Sequence, residues 1–143
     1  MKKVLFVCVH NSARSQMAEA FLNKLSDGKY IADSAGLEPG KLNPLVVEVM
    51  AEIGYDISNN STNSVFEFYK EGRRYSYVIK VCDELSGQKC PIFPQTLNYI
   101  NWNLEDPSSF EGTHEEKLAK TRLIRDEIKS LVIELIDNLN NLS

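Results

Sequence analysis

Cysteine and histidine are scarce in this chain of 143 residues: cysteines stand at 8, 82 and 90 only, and histidines at 10 and 114. Three cysteines do not make the framework of a small secreted, disulfide-stapled fold; in a reducing compartment they are free, metal-bound or catalytic. Basic residues are in the minority, 16 Lys and Arg against 20 Asp and Glu, for a net charge of −4. That balance excludes a generic ligand for nucleic acid or anionic membrane, so any anion site must be local. No run approaches the roughly 20 apolar residues of a membrane span. The basic start Met1-Lys2-Lys3 is followed by too short an apolar run to act as a signal peptide, and a cytoplasmic location is expected. Repeats and low-complexity linkers are missing as well, so residues 1–143 are expected to form a single domain.

What is present is organised around Cys8-Val9-His10-Asn11-Ser12-Ala13-Arg14-Ser15. The apolar run Val4–Val7 reads as a buried parallel strand ending at Cys8. Met17, Ala18, Phe21, Leu22 and Leu25 recur at helical spacing, so a helix is expected over 14–26, closed by Asp27-Gly28. A cysteine six positions before an arginine, between strand and helix, has a definite physical use. Loop N–H groups and the helix N-terminus make a nest for a tetrahedral oxyanion, and the same field favours the Cys8 thiolate. Arg14 offers a planar fork to two oxygens of that anion. The substrate-binding loop is therefore Val9, His10, Asn11, Ser12, Ala13 and Arg14, with the Ser15 hydroxyl placed to donate to Cys8 and Asn11 to brace the loop.

Further strands are expected at 30–35, at 75–81 ending on Cys82, and at 98–104; helices at 44–53, 64–71 and 113–139. Asn43-Pro44 has the character of an N-cap and first helical residue. Strands alternating with helices imply an α/β fold with a small parallel sheet, whose ligand crevice lies off the carboxyl ends of the strands. Cys8, Cys82 and Asp106 all fall there. Asp106, stiffened by Pro107, is a candidate acid for protonating a departing oxygen. Cys82 and Cys90 lack zinc-knuckle spacing. They are either two unrelated buried thiols or a relay in which Cys82 attacks a sulfur at Cys8 and Cys90 then attacks Cys82. His114 is expected to be solvated.

With these residues the chain resembles the thioredoxin-coupled arsenate reductases of the low-molecular-weight phosphatase fold. The likeness runs through Asn11-Ser12-x-Arg14-Ser15-Gln16-Met17-Ala18-Glu19, Ser34-Ala35-Gly36, Asn43-Pro44, Asp56-Ile57-Ser58, Cys90-Pro91, Asp106-Pro107 and Arg122-x-x-Arg125-Asp126-Glu127-Ile128. It implies a four-stranded parallel sheet flanked by helices. It also implies a reaction in which Cys8 attacks arsenate with Asp106 as acid. Cys82 then attacks the adduct to release arsenite, and a Cys82–Cys90 disulfide is left for thioredoxin to reduce. Phosphate or sulfate would mimic the oxyanion, no cofactor would be required, and a monomer is expected. Some members hold potassium beside the loop; Asn11, Glu19 and Ser34 match its surroundings, whereas Asn63 falls where an acidic ligand sits. His10 stands where glycine is common, Ala13 where some members have cysteine, and the Cys82–Cys90 interval is one residue longer than usual in the family. The competing readings are a low-molecular-weight tyrosine phosphatase, which has no use for Cys82 and Cys90, and a thiol redox sensor or oxyanion-binding module.

Overall fold

A computed structural model describes residues 2–11, 13–82 and 98–142. Strands β1 (Lys2–Cys8), β2 (Tyr30–Gly36), β3 (Tyr77–Cys82) and β4 (Tyr99–Asn103) form one parallel sheet in the order β2-β1-β3-β4. Helices α1 (Arg14–Leu25), α2 (Pro44–Ala51), α3 (Val65–Lys70) and α4 (His114–Leu142) cover it.

The apolar runs dictate this sheet. Val4, Leu5, Phe6 and Val7 are all fully buried, which only a strand covered on both faces allows. Side chains alternate across the strand, so Val4 and Phe6 join one core with Met17, Phe21, Ile79, Val81 and Ile128, while Leu5 and Val7 join the other with Ala35, Val65, Phe68 and Val78. Each such side chain stabilises the fold by roughly 1.5–3 kcal/mol on burial. The long helix α4 supplies much of the first cover: Leu118, Ile124, Ile128, Val132, Leu135 and Leu139 form its buried stripe. None of the described helices is long and apolar enough to cross a membrane.

The expected elements are all found among the described residues, with shifted ends. The third strand begins at Tyr77 rather than residue 75; just before it Ser76 N donates to Lys3 O of β1 at 2.9 Å, and the Tyr75 hydroxyl donates to Asp33 at 2.7 Å. The turn after Glu105 is a short 3-10 helix, Pro107–Ser109, capped by the Asp106 side chain, which accepts from Ser108 N at 3.0 Å. The loop expected after Asp83 lies outside the described residues.

Strand order reverses at β1, whose two neighbours are reached by connections leaving in opposite directions. A crevice therefore opens at its carboxyl end. Cys8 is the last residue of that strand.

Candidate active site

Backbone hydrogen bonds turn the loop after β1 inside out. The carbonyls of Cys8, Val9 and His10 accept from the N–H groups of Leu37, Glu38 and Gly40 at 3.2, 2.8 and 3.0 Å, and Asn11 O accepts from Gln16 Nε2 at 3.0 Å. In a trans peptide the next N–H points the opposite way, so the amides of Val9, His10 and Asn11 face the loop's interior. Asn11 N shows the consequence directly by donating to Cys8 Sγ at 3.0 Å. Gly36 makes room for this packing: a Cβ there would lie 2.8 Å from both Asn11 N and Val9 O.

Asn11 holds the turn. It sits at φ 54°, a left-handed conformation that asparagine tolerates better than most residues. Its side chain is fully engaged: Nδ2 donates to Ser15 Oγ at 2.8 Å, and Oδ1 accepts from Asn63 N at 2.8 Å and Gln16 Nε2 at 3.3 Å. Because Ser15 Oγ already accepts from Asn11, its own proton is free to point at Cys8 Sγ, 2.9 Å away. The Cys8 sulfur thus meets two donors, one from the backbone and one from a hydroxyl, which fix its position at the mouth of the loop.

Helix α1 begins beneath this loop with no side-chain cap at Ala13 and no acidic residue in its first turn. Its N-terminal amides are buried with Arg14, Ser15 and Gln16, and an anion is the natural partner for them. Arg14 is 2% exposed. Its Nη1 donates to Leu104 O at 2.9 Å and its Nη2 lies 3.4 Å from Asp106 Oδ2. Its Nε has no hydrogen-bond partner among the described residues. A buried guanidinium nitrogen left unpaired is costly unless a ligand completes it. Arg14 thereby does two things: it keeps one donor for an oxyanion and draws Asp106, two strands away in the sheet, to the nucleophile loop.

Cys82 is the last residue of β3, next to β1 in the sheet, and the register Val7↔Lys80 places its backbone at the same end as Cys8. Ser12 and Cys90 lie outside the described residues. His10 is exposed, and its Nδ1 donates to Glu38 O at 3.0 Å. His114 is also exposed, 3.0 Å from Glu48 Oε2 through Nε2. Among the described residues no group of three or more His, Cys, Asp or Glu side chains could hold a metal ion.

Residues 3–142 match the model of the low molecular weight phosphotyrosine protein phosphatase family. The chain belongs to that family. Similar proteins include arsenate reductases. An arsenate reductase of Halalkalibacterium halodurans is 36% identical over 127 residues, covering 89% of each chain. A glutaredoxin arsenate reductase of Synechocystis is 35% identical and covers 98% of this chain and 100% of its own. A solved arsenate reductase in the phosphate-binding state superposes with a TM-score of 0.78 at 34% identity, covering 96% of this chain and 98% of that one. A thioredoxin-dependent arsenate reductase of Corynebacterium glutamicum has a TM-score of 0.71 at 29% identity; the match covers all of this chain and 64% of that one. The low molecular weight tyrosine phosphatase of T. tengcongensis also gives 0.71, at 25% identity, over 96% of this chain and 99% of that one. The resemblance read from the nucleophile loop, Asp-Pro and the cysteine pair is thus shown, with the four-stranded parallel sheet it implied.

In this phosphatase-family chain, Glu19 and Ser34 were expected behind the loop only as surroundings of a potassium ion, and Gln16 was given no role of its own. Gln16 is fully buried, donating to Asn11 O and Ser61 O at 3.0 Å each and accepting from Asn60 Nδ2 at 3.1 Å. The available signal was a glutamine adjoining the apolar stripe of α1. Glu19, one turn further on, accepts from Ser34 Oγ at 3.3 Å. Burial pushes its carboxyl up to about 7; the Ser34 hydroxyl opposes this and the Asp33 charge adds to it. From its ordinary value of 4.5 up to about 7, the folded chain keeps a proton that the unfolded chain has released. Stability attributable to Glu19 therefore falls as pH rises through that window. In Glu19→Gln this loss is expected to vanish: between about pH 5 and pH 8 the parent should lose roughly 5 °C in Tm relative to the variant, measured by thermal unfolding.

Proposed function

We propose that this chain reduces arsenate to arsenite with three thiols. Cys8 thiolate attacks arsenic, forming an S–As bond as one oxygen leaves as water, protonated by Asp106. Arg14, the loop amides and the α1 N-terminus neutralise the anion. Cys82 thiolate then attacks Cys8 Sγ; the new S–S bond forms as the S–As bond breaks, and its electron pair stays on arsenic as arsenite departs. Cys90 attacks the Cys82 sulfur, returning Cys8 to the thiol state and leaving a Cys82–Cys90 disulfide. Two thiols have lost two electrons and arsenic has gained them.

The observation that supports this over ester hydrolysis is Cys82 at the carboxyl end of the strand beside β1, in a chain whose similar proteins are named arsenate reductases. An oxyanion loop alone suits phosphate and arsenate equally. Ser108-Ser109-Phe110 follow Pro107, without the tyrosine such phosphatases tend to carry, and slow phosphomonoester turnover is expected. The reductant of the disulfide is a thiol carrier, which we take to be thioredoxin. A relay of free thiols needs a reducing compartment, so we place the reaction in the cytoplasm. The described site is built within one chain, and a monomer suffices.

Asp106 accepts from Ser108 N at 3.0 Å and lies 3.4 Å from Arg14 through Oδ2, so the carboxyl is aimed at the nucleophile loop. Asp106→Asn is expected to slow formation of the arseno adduct by roughly 10²–10⁴-fold, read by rapid-quench kinetics. An unchanged rate would reduce Asp106 to a helix cap.

The test of the whole reading is arsenate-dependent NADPH oxidation coupled through thioredoxin and its reductase, run beside hydrolysis of an aryl phosphate and beside a glutathione–glutaredoxin couple. Turnover with arsenate and thioredoxin supports the proposal. Efficient aryl phosphate hydrolysis without arsenate reduction would make the chain a phosphatase.

A further inference from the structure

The layer behind the nucleophile loop is held by Asn63. Its backbone N–H donates to Asn11 Oδ1 at 2.8 Å, and its carbonyl accepts from Gly36 N at 2.9 Å. Its Nδ2 donates to Ser34 O at 3.1 Å, and its Oδ1 accepts from Ser61 Oγ at 3.2 Å. One residue thus fastens the end of β2, the segment before α3 and the asparagine at φ 54° that bears on Ser15 and Cys8. A hydrogen-bonded chain runs from Glu19 through Ser34, Asn63, Asn11 and Ser15 to the Cys8 sulfur.

This is the place where a family resemblance implies a potassium ion, and the residues present do not fit one. A bare cation needs oxygens with lone pairs turned toward it. Here the Ser34 carbonyl faces the Asn63 amide, and Asn11 Oδ1 already accepts from Asn63 N and Gln16 Nε2. N–H donors occupy the positions from which a cation would draw. A polar cleft of about 780 Å³, lined by Glu19, Asn23, Asn60, Ser61 and Asn63 among others, opens beside them, so a cation would have access if the oxygens were free.

We infer that Asn63 is a positioning residue for Cys8, its side-chain amide doing the work of a bound monovalent cation, so that the nucleophile loop is set without any ion. The inference rests on the proposed reaction only for its kinetic readout. Asn63→Asp removes the donor, frees the Ser34 carbonyl and adds a carboxylate beside Glu19. It should make the loop depend on a cation that the parent does not need.

The experiment compares the parent, Asn63→Ala and Asn63→Asp in potassium, sodium and tetramethylammonium chloride at one ionic strength. Three quantities are read: the rate of Cys8 alkylation by iodoacetamide against pH, Tm, and arsenate KM and kcat. Cys82→Ser/Cys90→Ser backgrounds isolate Cys8 in the alkylation arm. The parent should give the same alkylation profile and Tm in all three salts. Asn63→Ala should move the alkylation midpoint to higher pH and raise KM about 5- to 10-fold, the worth of one hydrogen bond, with kcat changed less. Asn63→Asp should resemble the alanine variant in tetramethylammonium and recover toward the parent in potassium.

A parent whose alkylation profile or Tm responds specifically to potassium overturns the inference, and that arm needs no variant to fold. So does a folded Asn63→Ala with the parent's alkylation profile. If arsenate is not reduced at all, the proposed function fails, while alkylation and Tm still decide the role of Asn63.

Discussion

Cys8→Ser is expected to abolish arsenate reduction, with a loss on the order of 10⁶-fold, the scale on which removal of a nucleophile acts. A serine hydroxyl at this position would still accept from Asn11 N and meet Ser15, since those donors now sit 3.0 and 2.9 Å from the sulfur. It is a far weaker nucleophile at neutral pH, and oxygen cannot yield the electrons that a thiol relay delivers to arsenic. Binding should survive, because loop amides, the α1 N-terminus and Arg14 are untouched; phosphate is therefore expected to raise the Tm of variant and parent alike. Steady-state assay and thermal unfolding together check both halves. Loss of phosphate binding along with activity would mean that Cys8 is needed to build the loop. Cys82→Ser separates the chemistries further: it should stop multiple-turnover reduction yet leave slow aryl phosphate hydrolysis intact.

Arg14→Lys is expected to lower kcat/KM for arsenate by about 10³-fold, although charge is conserved. The guanidinium reaches Leu104 O and the Asp106 carboxylate from one buried plane, and its Nε, without a partner among the described residues, is left for the anion. A lysine ammonium is a single point charge on a flexible stem and cannot satisfy these three directions together. The Leu104 carbonyl, the acid and the substrate would compete for it, so both KM and kcat should suffer. Steady-state kinetics provide the measure, and a loss of less than about 10-fold would show that charge alone carries the role of Arg14.

Much of this was legible in the residue order because local signals agreed. The run Val4–Val7, the cysteine-to-arginine spacing and the stripe Met17, Ala18, Phe21, Leu22 each point to one structure, and each is found buried in the expected element. The link between Arg14 and Asp106 was not legible, since 91 residues of chain separate them and only the order β2-β1-β3-β4 brings them within 3.4 Å. The structural roles of Asn63 and Gln16, both named from the sequence, were hidden for a different reason. Their work is done by hydrogen bonds to backbone atoms of other segments, which leave no periodicity behind. Gly36 reads as an ordinary loop glycine until its neighbours are placed, whereupon the missing Cβ is seen to admit the nucleophile loop.

The central claim is that electrons leave two of the three cysteines for arsenic, and a single-turnover experiment tests it most directly. Fully reduced protein is mixed with equimolar arsenate and no thiol carrier. Arsenite, free thiols and disulfide-linked peptides are then measured on the quenched sample. The relay predicts one arsenite per chain, loss of two thiols, a Cys82–Cys90 disulfide, and Cys8 recovered as a thiol. A chain that hydrolyses aryl phosphate, yields no arsenite and keeps all three thiols would contradict it.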